Sequence, residues 1–161
     1  DVLKMIRMLL ENKDVTLIAK VAECIPDRII TDKHRFFRIL QNLLGNAAKY
    51  THVGEIKVSI DCLNVQKNEA TLRLLVSDTG IGIEEEKKQH IFERFHQISD
   101  GNFDVTKGGV GLGLNIVKGF VDDMGGEINV DSVLGEGTSF ICELPIRFYV
   151  GAFNNTGYEI T

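Results

Sequence analysis

TLRLLVSDTGIGIEEEKKQHIFERF (71–95) places one carboxylate and two glycines between an apolar run and a run of charge. Thr71 to Ser77 reads as a strand, so its end delivers Asp78 into a mouth. Gly80 and Gly82 permit a close turn around it. A carboxylate there can accept from an exocyclic amine, and bare glycines would let a flat ring come near the backbone. That combination suits adenine. A plain Asp-Gly turn after a strand uses the same letters, and this stretch alone does not separate the two readings.

Working outward, Glu84 to Ile98 is expected to be a helix, with Ile91, Phe92, Phe95 and Ile98 apolar and an acidic first turn that suits the helix dipole. Upstream, Ile56, Val58 and Ile60 alternate with Lys57 and Ser59 as a half-buried strand, and Gln66 to Asn68 is a hairpin turn into 71–77. Asp32 to Tyr50 is the strongest helix. Thr31 or Asp32 can cap it, Phe36, Phe37, Leu40, Leu43, Leu44 and Ala47 form its apolar stripe, and Gly54 follows its stop. Asp1 to Asn12 is a short amphipathic helix through Val2, Met5, Ile6, Leu9 and Leu10. Val15 to Cys24 has period two and is a strand, and Pro26-Asp27 turns the chain into the pair Ile29-Ile30. Downstream, 99–109 is a loop and Leu112 to Met124 a helix ended by Gly125-Gly126. Glu127 to Val133 and Thr138 to Leu144 form a hairpin about LGEG (134–137). The sum is α+β, with strands joined by hairpins and helices covering one face.

Two further patterns bear on chemistry. GGVGLGLNIV (108–117) gathers Gly108, Gly109, Gly111 and Gly113 before or at the start of a helix, where bare N–H groups and the helix N-terminus can hold phosphate oxygens. No GK[ST] follows and no strand immediately precedes, so it is neither a Walker A loop nor a dinucleotide fingerprint; a hinge fits it as well. Asn42, Asn46 and Lys49 share one edge of helix 32–50. An Asn carbonyl oxygen suits Mg²⁺, and Lys49 can reach a phosphate as a mobile charge. The bland alternative is amides bonded to nearby backbone and a solvated lysine. Adenine at Asp78, a metal on the Asn helix and phosphate at the glycine loop share one interpretation.

The bulk numbers allow it. The 161 residues fit one domain, and the net charge of -5 with no basic block argues against nucleic acid as a partner. Cys24, Cys62 and Cys142 lie far apart in apolar segments and read as free buried thiols without zinc-ligand spacing. No apolar run approaches the roughly 18 residues that span a bilayer, so direct membrane contact by this piece is not expected. The first residue is Asp, which leads to the expectation of a piece cut from something longer.

These residues carry a family likeness. The chain resembles the ATP-binding catalytic domain of sensor histidine kinases, a family that shares its fold with the ATPase domains of Hsp90-type chaperones, type II topoisomerases and MutL proteins. The likeness covers 1–146, with 147–161 left as a tail or the start of a linker. HRFFRILQNLLGNAAKYT (34–51) resembles the N box, DTGIGI (78–83) the first glycine box, FERF (92–95) the phenylalanine box, GGVGLGL (108–114) the second glycine box and GEGTSF (135–140) the last. The five motifs in this order make the likeness specific. It implies a two-layer sandwich with a mixed, mostly antiparallel sheet, helices on one face and a mobile ATP lid at HQISDGNFDVTKG (96–108).

The resemblance also assigns residues. It implies ATP and Mg²⁺ as ligands, with Asn46 the metal ligand, Asn42 beside the phosphates, and Lys49 and Tyr50 facing the phosphates and ribose. Asp78 would bind the adenine amine among Gly80, Gly82 and Ile83, with Thr138 helping it hold a water. Lys107, Gly109, Gly111, Leu112, Gly113 and Leu114 would line the phosphate side. Asn42, Asn46 and Lys49 would be the catalytic set. The hydrolysing relatives carry a Glu base where this chain has Asn42, and an amide takes no proton from water at neutral pH. The γ-phosphoryl is then expected to pass to a histidine on a dimerisation and phosphoacceptor domain absent here, and onward to a receiver domain. Gln97 and Lys107 resemble hybrid-type lids, which points to a fused receiver. His34, His52, His90 and His96 match no phosphoacceptor motif and are read as surface or packing residues, with His96 nearest the lid. The isolated piece is expected to be a monomeric cytoplasmic domain, its parent an integral membrane sensor. An ATP-hydrolysing domain of the chaperone or topoisomerase kind, and a docking module without catalysis, remain the other classes.

Overall fold

The computed structural model describes residues 2–93 and 113–149. The expected loop 99–109, the lid, residues 94–98 of the expected helix and the tail from 150 lie outside them. In chain order the elements are α1 (Val2–Leu10), β1 (Asp14–Val21), β2 (Ile29–Ile30), α2 (Lys33–Tyr50), β3 (Val53–Gln66), β4 (Glu69–Asp78), α3 (Glu85–Lys88), α4 (Gly113–Asp123), β5 (Glu127–Val133) and β6 (Gly137–Phe148).

The sheet runs β1-β3-β4-β6-β2, with β5 also paired to β6. The β3–β4 and β5–β6 hairpins arise where the turn residues predict them, with Lys67 left-handed at φ 51 in the first. β1 is the departure from an all-hairpin pattern: it pairs parallel to β3, Asp14 opposite Val53 through Val21 opposite Ile60. A parallel pair needs a long crossover, and β2 and α2 supply it. β6 extends to Phe148, which is buried, so Arg147 and Phe148 belong to the sheet rather than to a tail.

Alternation sorts the two faces. Ala70, Leu72, Leu74 and Val76 of β4 and Phe140, Cys142, Leu144 and Ile146 of β6 point into one core. Val2, Ile6 and Leu10 of α1, Ile39, Leu43, Leu44, Ala47 and Ala48 of α2, and Val117 and Val121 of α4 cover it. The opposite face carries exposed pairs such as Arg73–Glu143 at 2.6 Å and Arg147–Glu69 at 3.2 Å. The helical stripes are narrower than expected: Met5, Leu9 and Phe37 are exposed, and Ile39 takes the central place on α2. Neither α1 nor α2 contains an acidic residue, while together they hold Lys4, Arg7, Lys33, Arg35, Arg38 and Lys49.

Local chemistry sets the helix ends. Asp32 caps α2, its Oδ1 accepting the Arg35 N–H at 2.9 Å. α2 stops at Tyr50 with Thr51 extended; Gly54 is not its terminator but lies inside β3 at φ 118. α4 closes as expected, with the Gly125 N–H donating to Asp122 O and the Gly126 N–H to Val121 O, both at 2.9 Å, and Gly125 left-handed at φ 72. The helix expected from Glu84 shrinks to the single turn α3. Its chain then continues in short turns, His90 N–H to Lys87 O and Glu93 N–H to His90 O. Tertiary packing wins there: Ile91 is buried, and Phe92 meets Phe140 edge-on at 6.4 Å between centroids. Of the cysteines, Cys62 and Cys142 are buried but Cys24 is exposed, its thiol donating to Asp61 Oδ1 at 3.2 Å. Burial pushes the Cys142 thiol up to about 12.

Two glycines of one helix should respond in opposite directions to the same change. Gly119 sits exposed within α4 with nothing near an added methyl group, so Gly119→Ala should stabilise by about 0.5–1 kcal/mol. Gly125→Ala meets only ordinary contact with Pro145 but must hold a positive φ, which should cost about 1–2 kcal/mol. Urea denaturation of the two variants beside wild type reads both signs.

Candidate functional site

Asp78 is the last residue of β4, held between Ile56 of β3 and Thr138 of β6. Its Oδ1 accepts the Gly80 N–H at 2.8 Å, an Asx turn that bends the chain away from the sheet. Burial raises the carboxyl pKa above its usual value. The N–H groups of Gly80 and Thr138 and the hydroxyl of Thr51 pull it back in part.

The glycines beside it serve the protein's own packing. A methyl group at Gly80 would come within 2.6 Å of Tyr50 O and 2.8 Å of Asp78 Oδ1, and one at Gly82 within 2.9 Å of Leu134 Cα. The direction a side chain would take at these two positions is closed, by backbone at both. Gly82 takes φ 70, the left-handed turn expected of it. The Ile81 N–H reaches Tyr50 O at 3.4 Å, and Ile81 O accepts from the Gly135 N–H at 2.7 Å. The Asp78–Gly82 loop is thereby hung between the end of α2 and the β5–β6 turn. Ile83 is buried in the core, its N–H bonded to Ser132 Oγ at 2.8 Å.

Ser132 lies outside every quoted motif and Thr51 is the last letter of the N-box stretch with no role assigned to it, and both matter here. Ser132 Oγ joins Ile83 N–H, Gly137 O at 2.7 Å and Thr138 Oγ1 at 2.9 Å in one buried network. Thr138 therefore spends its hydroxyl within the protein. Thr51 is fully buried, and its Oγ1 faces Asp78 without reaching hydrogen-bond geometry with any described residue. A buried hydroxyl left unpaired costs about 1–3 kcal/mol, so it marks a position where an ordered water belongs between Thr51 and Asp78.

The second cluster lies on α2 and α4. Asn42, Asn46 and Lys49 are half-buried along α2. Asn42 Nδ2 donates to Arg38 O at 2.8 Å, which leaves its oxygen facing the first residue of α4: a methyl group at Gly113 would stand 2.9 Å from Asn42 Oδ1. The Asn46 amide makes no hydrogen bond among the described residues. Lys49 Nζ lies 4.9 Å from the Tyr50 ring centroid, a cation–π contact that keeps the ammonium near the helix end. Arg35 ties α2 to α4 through Asp123 at 3.2 Å. Leu114 packs against the core, and Asn115 Nδ2 anchors Phe92 O at 3.0 Å. Lys107, Gly109, Gly111, Leu112 and His96 lie outside the described residues. His34 and His52 are exposed, and His90 pairs with Glu93 at 2.8 Å.

Residues 31–147 match the family described as histidine kinase-, DNA gyrase B-, and HSP90-like ATPase. The chain belongs to that ATPase family. Its similar relatives are sensor histidine kinases. One is AruS of Pseudomonas aeruginosa, 45% identical over 127 residues, which are 74% of this chain and 12% of that protein. Another is the autoinducer 2 sensor kinase/phosphatase LuxQ of Vibrio vulnificus, 44% identical over 118 residues, 73% of this chain and 14% of that protein. The chain thus spans a small part of the curated relatives it matches. Among solved structures, full-length ShkA in complex with AMPPNP superposes at TM-score 0.74 with 30% identity, covering 92% of this chain and 30% of that one. The mycobacterial sensor histidine kinase MprB gives 0.68 with 29% identity over 91% and 90%. The α+β sandwich of the ATPase family is the fold observed here. Among the described residues no helix is long and apolar enough to cross a membrane.

The raised pKa of Asp78 has a sign that stability can report. The folded state holds that proton more tightly than the unfolded chain, so this group favours folding at low pH and disfavours it progressively as pH rises towards the raised value. In this ATPase domain Asp78→Asn should therefore raise the ligand-free Tm at pH 7. The gain should shrink as pH falls from the raised value towards the usual carboxylate value and be lost below it, as thermal melts across pH would record.

Proposed function

We propose that the chain binds Mg·ATP and presents its γ-phosphoryl to a histidine on a separate phosphoacceptor domain, as the catalytic part of a two-component sensor kinase. One observation carries the nucleotide reading: a desolvated carboxylate, Asp78, faced by the fully buried and unpartnered hydroxyl of Thr51. An exocyclic amine arriving there supplies Asp78 with a donor beyond the Gly80 N–H, in place of the water that burial removes.

The residues present fit the rest of the ligand. Asn46 offers an amide oxygen with no competing bond among the described residues, the hard ligand Mg²⁺ takes alongside waters and phosphates. Bound there, the metal polarises phosphate oxygens. Gly113 opens the eleven-residue α4 directly beside Asn42, so that the helix N-terminus faces the amide edge of α2 with its free N–H groups. Lys49 supplies a mobile charge from the last turn of α2. The chain's own work is binding, orientation and charge stabilisation, the bulk of phosphoryl-transfer catalysis. Asn42, bonded to Arg38 O, provides no base for water, which leaves the phosphoryl for a histidine nucleophile and then for a receiver aspartate.

Calorimetry with AMPPNP tests the reading. Wild type should bind with Mg²⁺, and Asp78→Ala should lose at least about tenfold, about 1.4 kcal/mol. Absence of wild-type binding at high micromolar nucleotide would favour a docking module. Asn46→Ala should keep binding in EDTA but lose most of the extra affinity that Mg²⁺ confers on wild type. A steady release of phosphate by the domain alone would instead support the hydrolysing class.

A further inference from the structure

α2 ends without the device that closes α4. Its C-cap Thr51 is extended at φ -100 and ψ 119, so no left-handed glycine folds the chain back onto the last carbonyls. Those carbonyls need donors from elsewhere. The Thr51 N–H takes Ala47 O at 3.0 Å, and the Ile81 N–H takes Tyr50 O. Two more are met by one cation: Lys13 Nζ donates to Ala48 O at 2.6 Å and to Thr51 O at 3.1 Å.

Lys13 stands in the turn between α1 and β1, half-buried, with its own N–H bonded to Leu10 O at 2.9 Å. It makes no ion pair among the described residues, so its charge is directed at the helix end. We propose that Lys13 is a positioning residue of the nucleotide site, holding the end of α2 from which Lys49, Tyr50, Thr51 and the Asp78–Gly82 loop take their places. The proposal rests on the nucleotide-binding reading above.

Geometry and charge support it together. The carbonyls that Lys13 fixes bracket Lys49 and Tyr50, and Tyr50 O is the atom against which Gly80 packs and to which Ile81 bonds. Thr51, whose carbonyl Lys13 holds, aims its unpartnered hydroxyl at Asp78. A helix C-terminus carries about half a negative charge that fades within one turn, which a polyanion nearby would feel as repulsion. An ammonium seated on that end offsets it. A neutral cap of the same shape would hold the helix but not cancel the charge.

The test compares Lys13→Met, Lys13→Arg and wild type, with Asp78→Ala as the control for the site itself. AMPPNP affinity with Mg²⁺, thermal stability and exchange of the Ile81 amide by NMR are read for each. Lys13→Met should bind about tenfold more weakly while still folded, with faster Ile81 exchange, and Lys13→Arg should recover most of both. Should Lys13→Met fail to fold, Lys13→Gln, able to reach one carbonyl but uncharged, takes its place. Wild-type affinity in a variant with a lowered Tm would overturn the proposal and leave Lys13 a helix cap. If wild type itself binds no nucleotide, the functional reading fails separately. Ile81 exchange then decides alone: faster exchange in Lys13→Met keeps Lys13 as the anchor of the loop, and unchanged exchange removes it.

Discussion

The register of β4 against β6 is the constraint on which the rest depends. Ten consecutive pairs run from Glu69 opposite Arg147 to Asp78 opposite Thr138. Side chains alternate with a period of two, so a slip by one residue would turn Leu72, Leu74 and Val76 to solvent and swing Asp78 to the wrong face. The core fixes the register and the register aims the carboxylate. Packing far from the site thereby sets the site's geometry.

Asp78 is also where fold and chemistry conflict. A carboxylate drawn into a half-dry mouth is poorly solvated, and the neighbouring N–H groups return only part of what water gave it. Thr51 adds a buried hydroxyl without a partner. Both deficits sit side by side, at the place where the amine of the proposed nucleotide would arrive. Such local dissatisfaction is expected where a protein keeps a site ready rather than filling it with its own groups.

Much of the architecture was legible because its signals are local. α2 follows from a cap at Asp32 and a stripe of apolar spacing, the two hairpins from their turns, and the end of α4 from Gly125-Gly126. The parallel docking of β1 on β3 was not legible, since alternation tells which face is buried but not which neighbour lies alongside. The helix begun at Glu84 misled for a related reason: the spacing of Ile91 and Phe92 satisfies a helical period, but their burial against Phe140 does not require one. In the site, Asp78, Asn46 and Lys49 stand out by residue type and position. Thr51, Ser132 and Lys13 act through partners distant in sequence: Asp78 for Thr51, Ile83 for Ser132, and Ala48 and Thr51 for Lys13, 49 residues apart at most. No short motif could announce Ser132 or Lys13, and the N-box stretch that ends in Thr51 does not say what its hydroxyl faces.

The absence of acidic residues from α1 and α2 has a consequence at longer range. Six cations sit on two adjacent helices of a chain whose formal charge is -5, so the remainder of the surface is correspondingly more negative. The molecule is an electric dipole as well as an anion. A charged surface approaching it exerts a torque before any contact forms, turning the helical layer towards negative potential. That torque weakens over about 10 Å at 0.1 M ionic strength, so salt would alter the angle of approach more than the strength of the final embrace.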